Sequence, residues 1–279
     1  MKIFIFFTLL IHSMPLVYAG RGDISFEEIQ KDSTIPIVFL INGFGGTKLT
    51  MFEKPLGVTP WIQDRLEERG IPVYNLDWND IWRTPAIRSG GDDGRLLLQM
   101  RNEVLPRIPI HRPLILVGHS FGGDSALKIA RDNPNRKFAL VATLDPVEFG
   151  GLRSKRTVLS NVESFYNRWT NKSTIVPFDV FKTGELNYEG TGRNDQENTN
   201  SARDFNGNLK KKDCPLFDPT CHGQYIVSLY HGGKDSIAQD EYLQREIFDK
   251  IIEIANNPVE DNTDDFSVII PIVTNLILN

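Results

Sequence analysis

Three long apolar runs constrain the fold of this 279-residue chain more than any other feature. The first is Ile35-Pro36-Ile37-Val38-Phe39-Leu40-Ile41, the second Leu114-Ile115-Leu116-Val117, and the third Phe138-Ala139-Leu140-Val141-Ala142-Thr143-Leu144. Successive side chains of a strand point to opposite faces, so a strand that is apolar at every position must be covered on both, as in a parallel sheet. Helical patterns separate the runs. The segment 60–69 has Thr59 as N-cap, Pro60 at the first helical position and Gly70 just past its end. The segment 95–105 follows a short strand at 73–76, and 122–131 ends at Asn133-Pro134. Strands alternating with helices predict βαβ units, hence an α/β protein with a mostly parallel central sheet and helices on both faces.

Further along, 157–166 reads as one more strand. The stretch 185–212, rich in Asn, Gly, Asp and Lys, reads as a polar surface excursion with too little apolar content for a core of its own. Tyr225-Ile226-Val227-Ser228-Leu229-Tyr230 is a predicted strand. The segment 237–255 is a predicted helix, with Leu243, Ile247, Ile251 and Ile254 at helical spacing and Ser236 with Gln239 as a capping box. Residues 77–94, with Trp78, Ile81 and Trp82 among Gly, Pro, Asn and Arg, form an irregular excursion, readable equally as a candidate lid or as a contribution of ordinary core residues. One domain over 20–260 accommodates all of these elements. A net charge of −5 with no dense Lys/Arg stripe argues against a nucleic-acid partner, whose phosphates demand a basic surface.

The ends of the chain carry different information. Lys2, the apolar run 3–11 and Val17-Tyr18-Ala19 ahead of Gly20 have the form of a signal peptide over 1–19, and His12, Ser13 and Pro15 interrupt the run too early for a membrane span. The expected location is therefore secreted or periplasmic. An oxidising compartment would pair the two cysteines, Cys214 and Cys221, into a local staple worth roughly 2.5 kcal/mol at best. Asn171-Lys172-Ser173 fits a glycan acceptor. Residues 261–279 combine the end of an acidic spacer with an apolar tail, expected to pack against the body or a partner subunit.

The second apolar run leads directly into Gly118-His119-Ser120-Phe121-Gly122. A serine flanked by glycines two positions away on each side can occupy a strained strand-to-helix turn, because a strand and helix without side chains there pass close together. By composition alone such a pattern arises by chance on the order of one time in ten in a chain of this length, so the flanking strand and helix are what give it weight. A serine hydroxyl needs a base to take its proton and an acid to orient that base. His12 leaves with the signal, His119 is the variable position of the turn, and His111 precedes the strand on the opposite edge. His222 and His231 remain. Active groups of such sheets gather at the carboxyl ends of strands, which favours His231, directly after the strand at 225–230, with His222 as the alternative base. Asp145 ends the strand that follows the nucleophile helix and is the candidate acid, with Asp218 and Asp235 as fallbacks. Backbone N–H groups of Phe121 and of Phe44, in the turn Asn42-Gly43-Phe44-Gly45-Gly46, are candidate oxyanion donors.

The elbow Gly118-His119-Ser120-Phe121-Gly122-Gly123, the Asn42-Gly43-Phe44 turn and Leu144-Asp145-Pro146, 25 positions after Ser120, together resemble the lipase and esterase branch of the α/β-hydrolase superfamily over about residues 35–255. The resemblance implies the α/β-hydrolase fold, Ser120, Asp145 and His231 as a triad, and Phe44 and Phe121 as the oxyanion hole. It further implies hydrolysis of small-molecule or lipid carboxylic esters through an acyl-enzyme, with no cofactor or metal and with transient contact with a lipid surface. Where lipases commonly carry His-Gly, this chain has Asn42-Gly43, which weakens transfer of the substrate class. The same triad serves amide or thioester cleavage and acyl transfer, and a non-catalytic binding protein could use the same scaffold. Oligomeric state has no signature in the sequence.

Overall fold

The computed structural model describes residues 24–31, 33–43, 61–77, 95–146, 157–169, 184–199, 206–208, 237 and 240–257. Outside them lie the expected signal segment, nearly all of the candidate lid, Asn171, both cysteines, the predicted strand at 225–230 and the C-terminal tail.

A one-turn helix α1 (Phe26–Ile29) precedes β1 (Ile37–Asn42), α2 (Trp61–Glu67), β2 (Val73–Asp77) and α3 (Arg95–Gln99). Helix α3 widens into a π turn over Met100–Val104 and tightens into a 3-10 turn, Leu105–Arg107, at Pro106. Then come β3 (Leu114–His119), α4 (Phe121–Asp132), β4 (Leu140–Leu144), β5 (Thr157–Val158) and β6 (Ser164–Trp169). The remaining elements are β7 (Asn187–Tyr188), β8 (Arg193–Asn198) and α5 (Glu241–Asn256). Six strands form one sheet in the order β2-β1-β3-β4-β6-β8, every described pairing parallel.

The two faces of the sheet are apolar because alternate residues of the same strands line them. Ile37, Phe39 and Ile41 of β1 join Leu114 and Leu116 of β3 in a core closed by Leu97, Met100, Ala126 and Ile129, which come from α3, the π turn and α4. Val38 and Leu40, with Ile115 and Val117, face the other way and are closed by Ile62 and Leu66 of α2 and by Leu243, Ile247 and Ile251 of α5. Fully burying one such aliphatic side chain contributes about 1.5–3 kcal/mol. The fold is thus α/β with helices on both faces, as the three apolar runs predict.

Four local expectations change. The predicted strand at 157–166 is two strands, because the chain turns at Leu159–Val162 and only β6 enters the main sheet. The polar stretch expected as a surface excursion supplies β8, the last described strand of that sheet. Its carboxylates and amides are held by neighbours: Arg168 Nη2 lies 2.8 Å from Asp195, Lys250 Nζ 3.0 Å from Asp195, and Asn167 Nδ2 donates to Gln196 at 3.1 Å. Helix α5 starts at Glu241 with Asp240 as its cap, accepting from Leu243 N–H at 3.0 Å, instead of at 237 with the Ser236 box. Finally, the helix predicted over 95–105 keeps α-helical geometry only to Gln99.

Candidate active site

The chain visits β1 and then β2 on one side, returns past β1 to β3, and continues to β4 on the other side. The order therefore reverses between β1 and β3, and a crevice forms outside the carboxyl ends of strands at such a switch point. β1 ends there at Asn42-Gly43 and β3 at His119-Ser120.

Ser120 sits at φ 58° and ψ −129°, a conformation that L-residues avoid. Its N–H donates to Leu144 O at 3.0 Å, and its carbonyl accepts from Gly123 N–H at 2.9 Å, so one residue both ends β3 and caps α4. The missing side chains of the elbow are a steric requirement. A Cβ on Gly122 would lie 2.1 Å from Ile41 O, and one on Gly118 would lie 2.3 Å from Gly122 O. Gly43 shows how closely the β1 turn approaches, since a Cβ there would lie 2.5 Å from Ser120 Cβ and 3.0 Å from its Oγ.

Asp145 is the only other non-glycine residue with positive φ among the described residues, at 45°. His119 and Leu144 are register partners across β3 and β4, so Ser120 and Asp145 are the next residues at the ends of adjacent strands. Asp145 N–H donates to Arg168 O at 2.7 Å, extending the β4–β6 ladder by one rung. Both side chains are buried, at 1% and 2% exposure. Strained backbones persist only where the surroundings over-determine them, and they cluster at functional sites. Phe121 opens α4, whose N-terminal N–H groups and dipole favour developing negative charge. Phe44, His222, His231 and the fallback acids Asp218 and Asp235 lie outside the described residues; His111 lies in the turn before β3, at the amino edge, and His119 is buried in the elbow.

Sequence reasoning missed Arg168. Its carbonyl holds Asp145, while its 3%-exposed side chain stacks 4.0 Å from the Tyr166 ring centroid and lies between Asp195 and Glu246. Tyr166 donates to Glu246 at 2.7 Å, and burial pushes its phenol well above its ordinary range. Burial also opposes the charge of Asp195, yet Lys250 and Arg168 outweigh it and hold that carboxyl below its usual value. An arginine amid Phe165, Tyr166, Asn167 and Trp169 carries no sequence signal for this role. Among the described residues, no cluster of three His, Cys, Asp or Glu side chains could hold a metal ion.

No protein-family model matches the chain. Over 139 residues, 48% of the chain, it is 28% identical to a bis(hydroxyethyl) terephthalate hydrolase of Streptomyces coelicolor. The likeness is to an ester hydrolase. The matched part spans 40% of that relative's length.

Proposed function

We propose that this protein is a serine hydrolase that cleaves carboxylic esters through an acyl-enzyme on Ser120. The observation that carries the reading is the pairing of two strained residues, Ser120 and Asp145, at the carboxyl ends of neighbouring strands beside the sheet's switch point. The likeness to an enzyme named for a terephthalate ester supports the bond type.

The steps follow from the chemistry of the groups. Ser120 Oγ attacks the ester carbonyl carbon while the imidazole of His231 takes its proton, and the oxyanion is met by backbone N–H groups of Phe121 and Phe44. Collapse expels the alcohol, which leaves with that proton. Water then adds to the acyl-serine by the same route, giving the carboxylic acid and free Ser120. Asp145 orients the imidazole. Support for a histidine on this edge comes from the flanking elements. Glu246 of α5 lies beside Arg168 near the end of β6, whereas Glu253 pairs at 3.1 Å with Arg193, the first residue of β8. Helix α5 therefore runs antiparallel to β8, and the segment joining Asn198 to Glu241 leaves from and returns to the carboxyl edge. That segment contains both His231 and His222, so the flanking topology favours neither, and His222 stays the alternative.

Under this reading the protein acts after export, on a small-molecule or lipid ester. A fluorophosphonate probe should label the purified wild-type chain and not Ser120→Ala, and p-nitrophenyl esters of graded length should show turnover that falls at least a thousandfold in the variant. Undiminished hydrolysis by Ser120→Ala would refute the mechanism. An activity maximum at acetate or propionate would assign a small-ester esterase over a lipase.

A further inference from the structure

The amino edge of the sheet, opposite Ser120, carries an open cleft of about 610 Å³. Ile108, Pro109, Ile110 and Pro134 give it apolar walls, and Ile110 stands 70% exposed. Arg101, Arg107 and Arg136 supply positive charge. Arg136 is 7% exposed, and its terminal nitrogens donate to the carbonyls of Ile108, Pro109 and Arg112 at 2.8–3.2 Å, while Nε has no hydrogen-bond partner among the described residues. Asp132, the one lining carboxylate among the described residues, already bridges Arg101 at 2.9 Å and Arg131 at 3.0 Å. Arg101 and Arg107 are exposed, Arg107 with its guanidinium 4.2 Å from the Phe26 ring centroid. An exposed apolar wall beside arginines that outnumber the described lining carboxylates fits an occupant that is both acidic and apolar.

The chain itself contains such a segment. Glu260, Asp261, Asp264 and Asp265 are followed immediately by Phe266-Ser267-Val268-Ile269-Ile270-Pro271-Ile272-Val273. Because α5 runs antiparallel to β8, its end at Asn256 lies at the amino edge, the edge that carries the cleft. The cleft opens on the side of α3 and α4, across the sheet from α5, a span on the order of 20 Å at about 10 Å per packed layer. Residues 257–265 can extend about 30 Å. We propose that residues 260–273 dock in this cleft of their own chain, the carboxylates against Arg101 and Arg107 and the apolar run over Pro109 and Ile110.

The test uses the full chain with a benzophenone side chain installed at Phe266. Irradiation should give adducts within one chain, mapped by mass spectrometry to residues 105–110 or 132–136. Their yield should fall at least tenfold when Glu260→Gln, Asp261→Asn, Asp264→Asn and Asp265→Asn are combined, and also with Ile110→Asp. Thermal unfolding midpoints of both variants check that the body remains folded. Adducts between chains that rise with protein concentration would overturn the proposal in favour of a second copy. Adducts elsewhere on the body, or adduct formation that requires lipid vesicles, would overturn it as well.

Discussion

At the scale of single residues, the site is defined as much by missing atoms as by present ones. Gly43 lets the β1 turn lie against Ser120, and the space is too small for a methyl group. Gly43→Ala should therefore displace either the turn or Ser120. Because displacement of about 1 Å at a reacting group can cost 10²-fold, we expect kcat to fall by about that factor with KM little changed and the circular dichroism spectrum retained, measured on p-nitrophenyl esters. That Ser120 and Asp145 each follow the end of a strand was legible from their neighbours in sequence, the Gly pair of the elbow and the Leu-Asp-Pro that closes the next strand. The glycines predict a strained turn at Ser120; what the sequence did not disclose is that Asp145 shares its positive φ. Positive φ is imposed from outside, on Ser120 by the Leu144 carbonyl and the start of α4, and on Asp145 by the Arg168 carbonyl.

At the scale of elements, buried strands were readable and the exposed edge was not. β1, β3 and β4 announce themselves because both of their faces are apolar. β8 reads Arg-Asn-Asp-Gln-Glu-Asn, which local pattern assigns to a loop; it is a strand because β6 offers a backbone ladder and because Arg168, Lys250 and Asn167 satisfy its side chains. That dependence is testable by pH. The Asp195 carboxyl lies below its ordinary range in the folded protein, so its contribution is fully present above the unfolded value of about 3.9 and is lost as pH falls through the lower folded value. Asp195→Asn should thus be less stable than the wild type from about pH 5 to pH 8. The gap should be about 1 kcal/mol, discounted because the carboxylate, at 34% exposure, is partly screened by water. Below pH 4 it should close progressively; urea denaturation at stepped pH reads the difference. α5 was legible in its apolar stripe but not in its start, since Asp240 competes with Ser236 as a cap and local sequence does not rank the two.

At the scale of the whole molecule, two apolar cores share one set of strands, so neither can be lost alone. Ile129→Ala on one face and Ile247→Ala on the other should each cost about 2–5 kcal/mol. Both should lower one and the same urea transition, with fluorescence and circular dichroism coincident; separate transitions would show that the faces unfold independently. The strained backbone at Ser120 has a consequence for that balance. A non-glycine residue held in a sparsely populated conformation costs about 1–3 kcal/mol, and glycine adopts the same φ and ψ without that penalty. Ser120→Gly, which removes the proposed nucleophile, should therefore offset its added chain entropy and leave a protein at least as heat-resistant as the wild type, so that selection for durability alone would work against a serine at this position.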